Sequence, residues 1–282
     1  MTWQNYTTLV SDEQHTVTGN LKIRCNVASP QLGNQRDLLV YLPPSYAQSK
    51  RRYPVIYMHD GQNLFDQRSS YAGEWQVDET MQALSQEGLE AIIVGVPNSG
   101  VERLNEYSPF RDPKVGGGKG DRYLRFLTET VKPLIDRSFR TYPNRAPTGI
   151  IGSSMGGLIS LYGFFRFTDY FGFVGAMSPA LWFAGGAMFN YIHKVGHIPG
   201  RVYLDVGTHE IIGAQSERLM MQAFARRYSS NVHRMYSLLV TKGFRPGQDI
   251  RYVEEPGGEH NEAAWARRLP NALQFLLGKE QN

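Results

Sequence analysis

Short apolar runs alternate with helix-length segments along most of this 282-residue chain, and that alternation leaves few folds open. Residues 54–58, 91–96, 148–151, 173–176 and 201–206 are continuous apolar or β-branched stretches, the pattern of strands buried on both faces of a parallel sheet. Between them the clearest helical pattern is 121–138, where Tyr123, Phe126, Leu127, Val131 and Ile135 recur at helical spacing. Further helices are expected over 77–87, 155–167, 216–227 and 262–277. Two earlier extended segments, 17–26 and 37–42, flank a turn-rich stretch with Pro30, Gly33 and Asn34, and read as an antiparallel start to the sheet. The expected class is α/β: a mostly parallel central sheet, antiparallel at its N-terminal start, with helices on both faces.

No Pro/Ser/Gly-rich linker divides the apolar segments, so residues 1–282 are expected to form one domain. No run approaches the roughly 18 apolar residues of a membrane span, and residues 1–20 lack the basic and apolar regions of a secretory signal. No membrane association is expected, and a cytoplasmic location is the default. The single Cys25 excludes an internal disulfide. The formal net charge is +4, but apart from Lys50-Arg51-Arg52 the cations are scattered, which argues against a nucleic-acid partner.

Gly152-Ser153-Ser154-Met155-Gly156 fits G-x-S-x-G, follows an apolar run and opens a helical segment. That setting, more than the pattern itself, marks a nucleophile elbow: the glycines permit a sharp turn that lifts a serine hydroxyl above the sheet edge. Ser154 is the candidate nucleophile. A serine needs a base, and in this topology the order is nucleophile, acid, histidine. His260, in the Pro256-Gly257-Gly258-Glu259-His260 turn after an expected last strand over 250–254, is the candidate base. His233 falls in a helix-like stretch over 231–239 and reads as a surface residue, and His15, His193 and His197 lie before the expected acid. The acid candidate is Glu210, with Gly207 expected to let its loop turn toward His260, and Asp205 within the preceding strand is its rival. An oxyanion hole needs two backbone N–H donors. Met155, after the nucleophile, supplies one, and Gln62, in His59-Asp60-Gly61-Gln62-Asn63 after the strand over 55–58, supplies the other. His59 and Asp60 are expected to brace that turn.

These segments together resemble the esterase D-like family of α/β-hydrolases, which includes feruloyl and acetyl-xylan esterases, siderophore esterases and mycolyltransferases. The resemblance is carried by Leu39-Val40-Tyr41-Leu42-Pro43-Pro44-Ser45-Tyr46, Asp60-Gly61-Gln62-Asn63-Leu64-Phe65-Asp66, Glu106-Tyr107-Ser108-Pro109, Gly116-Gly117-Gly118-Lys119-Gly120-Asp121, the elbow, Ser178-Pro179-Ala180-Leu181-Trp182, Gly207-Thr208-His209-Glu210 and Gly258-Glu259-His260. It implies the α/β-hydrolase fold, an oxyanion donor at Gln62 and an acid at Glu210, a position where the family often carries Asp.

The loops reaching the same sheet edge offer Trp75, Asn98, Arg103, Glu106, Tyr107, Trp182 and Phe183 as a pocket for a sugar face or an aryl acyl group, although Trp75 and Trp182 read equally well as core. The expected activity is hydrolysis of a small-molecule carboxylic ester by acylation and deacylation of Ser154, without metal or cofactor. Acyl transfer on the same fold and a non-catalytic binding member of the fold are the alternatives. The acyl group, the alcohol and the oligomeric state are not legible in the sequence.

Overall fold

A computed structural model describes residues 2–10, 14–210 and 218–278. Its strands in chain order are β1 (Gln4–Asn5), β2 (Asn20–Ser29), β3 (Asn34–Leu42), β4 (Val55–His59), β5 (Ile92–Val96), β6 (Arg111–Asp112), β7 (Gly116–Gly117), β8 (Thr148–Ser153), β9 (Phe173–Met177), β10 (Arg201–His209) and β11 (Ile250–Glu259). Nine of them form one sheet in the order β1-β2-β3-β5-β4-β8-β9-β10-β11, and β6 pairs with β7 as a separate ribbon. Pairings among β1, β2, β3 and β5 are antiparallel, and every pairing from β5 through β4, β8, β9 and β10 to β11 is parallel. The fold is that of an α/β-hydrolase, as the alternation of runs implied.

Nine α-helices are assigned among the described residues: α1 (Tyr6–Leu9), α2 (Val77–Ser85), α3 (Arg103–Glu106), α4 (Gly120–Arg125), α5 (Lys132–Ser138), α6 (Met155–Arg166), α7 (Phe183–Lys194), α8 (Arg218–Thr241) and α9 (Glu262–Leu277). Side chains alternate across a strand, so each central strand feeds two cores. On one face Val40, Val55, Tyr57, Val94, Ile150, Val174, Val202 and Leu204 pack with Tyr123, Phe126, Leu158, Met188, Val232 and Met235 of α4–α8 and the segment joining α4 to α5. On the other, Tyr41, Ile56, Met58, Ile93, Ile151 and Tyr203 pack with Val77 and Met81 of α2 and with Trp265, Leu269 and Leu273 of α9. At about 25 cal/mol per Å² of apolar surface, this two-sided burial is the main term holding the sheet between its helices.

Several boundaries differ from those the sequence suggests. The first hairpin is longer, because Gly33 at φ +70° closes a tight turn, donating to the Ser29 carbonyl at 2.8 Å, and β2 and β3 run up to it. The 121–138 pattern is helical throughout, with a π-helical turn at Phe126–Val131 joining α4 to α5. α8 continues through 231–239 to Thr241, whereas residues 216 and 217 of the expected 216–227 helix lie outside the described residues. α7, which the sequence did not suggest, begins with Ala184, Gly185 and Gly186 at positive φ. Residues 256–259 of the expected 256–260 turn belong instead to β11, and His260 follows its end. Pro256 and Gly257 are taken up in an irregularity, after which His209 pairs with Glu259. Gly207 accordingly serves close packing rather than loop freedom, since a Cβ there would lie 2.1 Å from the Gly258 carbonyl oxygen. Among the described residues no helix is long and apolar enough to cross a membrane.

Candidate active site

All the parallel strands end at one edge of the sheet, and the loops beyond those ends bring the site together. β8 runs into α6 through Ser154, whose φ of +55° and ψ of −121° make the turn sharp. The turn closes only because its flanks lack side chains: a Cβ on Gly152 would lie 2.7 Å from both the Gly156 carbonyl carbon and His59 Cδ2. It is pinned by the Ser154 amide donating to the Met177 carbonyl at 3.0 Å and by the Ser154 carbonyl accepting from Ala180 at 2.9 Å and Leu158 at 3.1 Å. Ser153, the alternative serine, is 3% exposed, whereas Ser154 is only partly buried.

Ser154 Oγ lies 2.9 Å from His260 Nε2, and His260 Nδ1 lies 2.6 Å from Glu210 Oε2. The imidazole is held between aromatic edges, with Tyr228 of α8 and Trp265 of α9 at centroid distances of 5.3 and 5.1 Å. Glu210 is fully buried, and its Oε1 accepts from the Gly207 amide at 2.6 Å and from the Ser178 hydroxyl at 2.5 Å. A buried carboxylate is tolerable only with such donors. Asp205 is also fully buried, but it faces the Ser178 amide (3.1 Å) and Arg268 (Oδ2 to Nε 3.2 Å). The Arg268 contact is close in distance without an aligned hydrogen bond. Burial outweighs Arg268 and pushes the Asp205 carboxyl up to about 7.

The two oxyanion candidates sit where an unpaired N–H is to be found. Met155 is the first residue of α6, and the first turn of a helix leaves its amides without intrahelical partners. Gln62 is the middle residue of a short 3₁₀ turn, Gly61–Asn63. That turn packs so tightly on β5 that a Cβ on Gly61 would lie 2.6 Å from the backbone of Gly95 and Val96. Gln62 is anchored by its own side chain, whose Oε1 accepts from the Asn98 amide at 3.2 Å, and by its carbonyl, which accepts from Ser69 at 2.7 Å. Before it, Asp60 adopts φ +55° and binds Arg103 through both oxygens at 2.7 and 2.8 Å. Burial alone would raise the Asp60 carboxyl, but the Arg103 charge and the hydrogen bonds that Arg103 and Asn98 donate to Asp60 hold it below the usual range. His59 is buried against Tyr123 (Nδ1 to Oη 2.7 Å), and burial pushes it down to about 3, so it is a neutral brace.

The expected pocket residues divide. Asn98 and Arg103 are partly exposed beside the Gln62 turn, both bound to Asp60. Trp182 is 38% exposed at the start of α7, where it borders a groove of ≈ 190 Å³ with Phe189, Asn190, Arg227, Asn231 and Arg234. Trp75, Glu106, Tyr107 and Phe183 are instead interior. Trp75 packs on Trp265 at 5.6 Å in the core. Glu106 pairs with buried Arg36 at 3.0 Å, Tyr107 Oη accepts from the Asp60 amide at 3.1 Å, and Phe183 is 1% exposed within the other core. These four brace the walls. Their aromatic or charged character suggested a pocket, and only packing reveals that they face inward.

Four residues around the site were not singled out from sequence: Ser178, Tyr228, Trp265 and Arg268. Ser178 stands in one of the family segments quoted above, and Arg268 sits on the apolar face of α9, where a cation 4% exposed demands carboxylate partners. The one three-acid group among the described residues that could hold a metal is Glu74, Asp78 and Glu79, whose oxygens lie within 4.8 Å of one another at the start of α2. Burial raises Glu74 to about 7 and Asp78 to about 8, outweighing the hydrogen bonds that Thr16 and Thr18 donate to them, which favours retained protons over a cation.

Residues 29–276 match the family described as "Putative esterase". A protein of Bacillus subtilis strain 168, the uncharacterized protein YbbA, is 28% identical over 264 residues, covering 91% of this chain and 98% of its own length. Among solved structures, siderophore hydrolase EstA from Aspergillus nidulans superposes with a TM-score of 0.71 at 18% identity, covering 92% of this chain and 94% of its own. An IroE-like serine hydrolase from Shewanella oneidensis does so with a TM-score of 0.69 at 19% identity, covering 91% and 80%. The chain belongs to this esterase family and is an ester-hydrolysing enzyme of the α/β-hydrolase fold.

Proposed function

We propose that the protein cleaves small-molecule carboxylic esters through an acyl-enzyme on Ser154. The observation that carries this reading is the continuous hydrogen-bonded line from Ser154 Oγ to His260 Nε2 (2.9 Å) and from His260 Nδ1 to Glu210 Oε2 (2.6 Å), at the edge where this fold gathers its loops. His260 takes the Ser154 proton as the hydroxyl oxygen attacks the ester carbonyl carbon, and the new C–O bond pushes the carbonyl electrons onto oxygen. The Met155 and Gln62 amides stabilise that oxyanion. Collapse expels the alcohol, which receives the proton from His260. Water, activated by the same imidazole, then attacks the acyl-enzyme and releases the acid. Glu210 orients His260 and stabilises the imidazolium without itself taking the proton.

Trp182, Asn98 and Arg103 are the pocket residues this reading retains, and the aromatic face of Trp182 suits a planar or apolar substrate group. The test is a panel of chromogenic esters from acetyl to octanoyl, with feruloyl and sugar esters, run beside labelling by a fluorophosphonate and mapping of the modified residue. Turnover with the label on Ser154 is expected. A label on Ser153, or turnover that survives Ser154→Ala, would overturn the assignment.

A further inference from the structure

Ser178 follows β9 at φ +39°, a left-handed backbone that glycine adopts without strain and serine does not. The strain is held in place from several sides. The Ser178 amide donates to the carbonyl of Asp205 at 2.9 Å and to its carboxyl at 3.1 Å, and the Ser178 carbonyl accepts from Tyr228 Oη at 2.7 Å. The residue is fully buried, so the hydroxyl it carries in place of a hydrogen must be satisfied within the protein.

The partners of that hydroxyl settle the direction of its proton. Trp265 Nε1 lies 3.2 Å from Ser178 Oγ and Arg268 Nη2 lies 2.9 Å from it. An indole N–H and a guanidinium N–H can only donate, so together they occupy the two acceptor positions of the oxygen. The one proton of the hydroxyl is left for its third neighbour, Glu210 Oε1, at 2.5 Å. Oε1 accepts from the Gly207 amide as well, so swinging the carboxyl away would break two hydrogen bonds at once. Oε2 is thereby fixed toward His260 Nδ1, 2.6 Å away. A carboxylate oxygen facing Nδ1 calls for the N–H on that nitrogen, which leaves the Nε2 lone pair toward Ser154.

We propose that Ser178 is a positioning residue of the active site: its hydroxyl, aimed by Trp265 and Arg268, locks Glu210 in the orientation that makes His260 present an unprotonated Nε2 to Ser154. The proposal rests on Ser154 being the nucleophile. Ser178 touches no reacting atom and acts through Glu210. Arg268 serves the same end, bridging Ser178, Asp205 and Glu255 and bringing its charge to 3.9 Å from Glu210 Oε1.

Two variants test this, Ser178→Ala and Ser178→Gly, the second of which relieves the left-handed backbone and so keeps a folded protein available. In both, kcat is expected to fall by about 10- to 100-fold, the size of a lost hydrogen bond to a charged group, with KM within about twofold. The downfield proton resonance of His260 Nδ1–H, identified by its disappearance in His260→Ala, should shift or broaden. Fluorophosphonate labelling should slow but remain on Ser154. Folded Ser178→Gly protein with wild-type kcat, or loss confined to KM with the Nδ1–H resonance unmoved, would overturn the positioning role. A wild-type enzyme that the probe labels elsewhere than Ser154 would instead overturn the reading on which the proposal stands.

Discussion

His209 of β10 pairs with Glu259 of β11 in parallel register, so the next residues in each strand, Glu210 and His260, leave the sheet as neighbours. Their side chains meet at 2.6 Å although 50 residues separate them in the chain. The pairing reaches that register only after β11 has taken up two extra residues, four steps from Glu255 to Glu259 against two from Gly207 to His209. The geometry of the Glu210–His260 pair therefore depends on an irregularity between two strands.

Ser154→Ala should abolish ester hydrolysis, by on the order of 10⁴-fold or more, because the members of a triad act as a unit. The folded state should survive, since the hydroxyl sits at a partly exposed turn. Initial rates on the best chromogenic ester and a thermal melt check both halves.

Glu210→Gln should lower kcat by roughly 10²- to 10⁴-fold, because an amide NH2 would face donors and the wrong imidazole tautomer would be favoured. A stability loss of about 1–3 kcal/mol should accompany it, as a buried donor is left without an acceptor. Near-wild-type turnover in a folded Glu210→Gln protein would point to a Ser-His dyad, or to Asp205 if Asp205→Asn is folded and inactive.

Asp205 has its carboxyl raised from 3.8 to about 7, by burial against the opposing Arg268 and the Ser178 amide. The folded state thus holds this proton more tightly than the unfolded chain. The corresponding stability is fully present below about pH 4, and is lost as pH rises through about 7. Urea midpoints at pH 5 and pH 8 should therefore fall more in the wild type than in Asp205→Asn, which has no such proton to lose. Equal slopes would refute the assignment.

Gly207→Ala should reduce stability and activity together. The new Cβ would meet the Gly258 carbonyl oxygen at 2.1 Å and force β10 and β11 apart where their register is reset. An overpacked site of this kind typically costs about 1–3 kcal/mol, and more where the obstacle is backbone. The Ala variant of Gly257, where a Cβ would meet nothing within 4 Å but φ is +73°, gives the comparison for backbone strain alone.

Trp182→Ala should raise KM for aromatic and long-chain esters by about 5- to 50-fold while changing kcat little, since a partly exposed aromatic at the groove contributes binding common to ground and transition states. Its melting temperature should stay close to wild type. A large stability loss with unchanged KM would return Trp182 to the core.

The α/β class, the parallel centre of the sheet and the candidates Ser154, Glu210 and His260 were legible along the chain, because each depends on a local pattern: runs of apolar residues, the glycines of a sharp turn, and an order in which acid precedes histidine. Local patterns do not say which way a side chain faces. Trp75, Glu106, Tyr107 and Phe183 looked like pocket residues until packing turned them inward, and Gly207 looked like a hinge until the Gly258 carbonyl occupied the space beside it. Ser178, Tyr228, Trp265 and Arg268 carry no local signal of their role. Their hydrogen bonds and ring contacts to the Glu210–His260 pair join β9, α8 and α9, elements distant in the chain, and only the tertiary structure could decide which lone pairs were already taken and hence which way the last proton points.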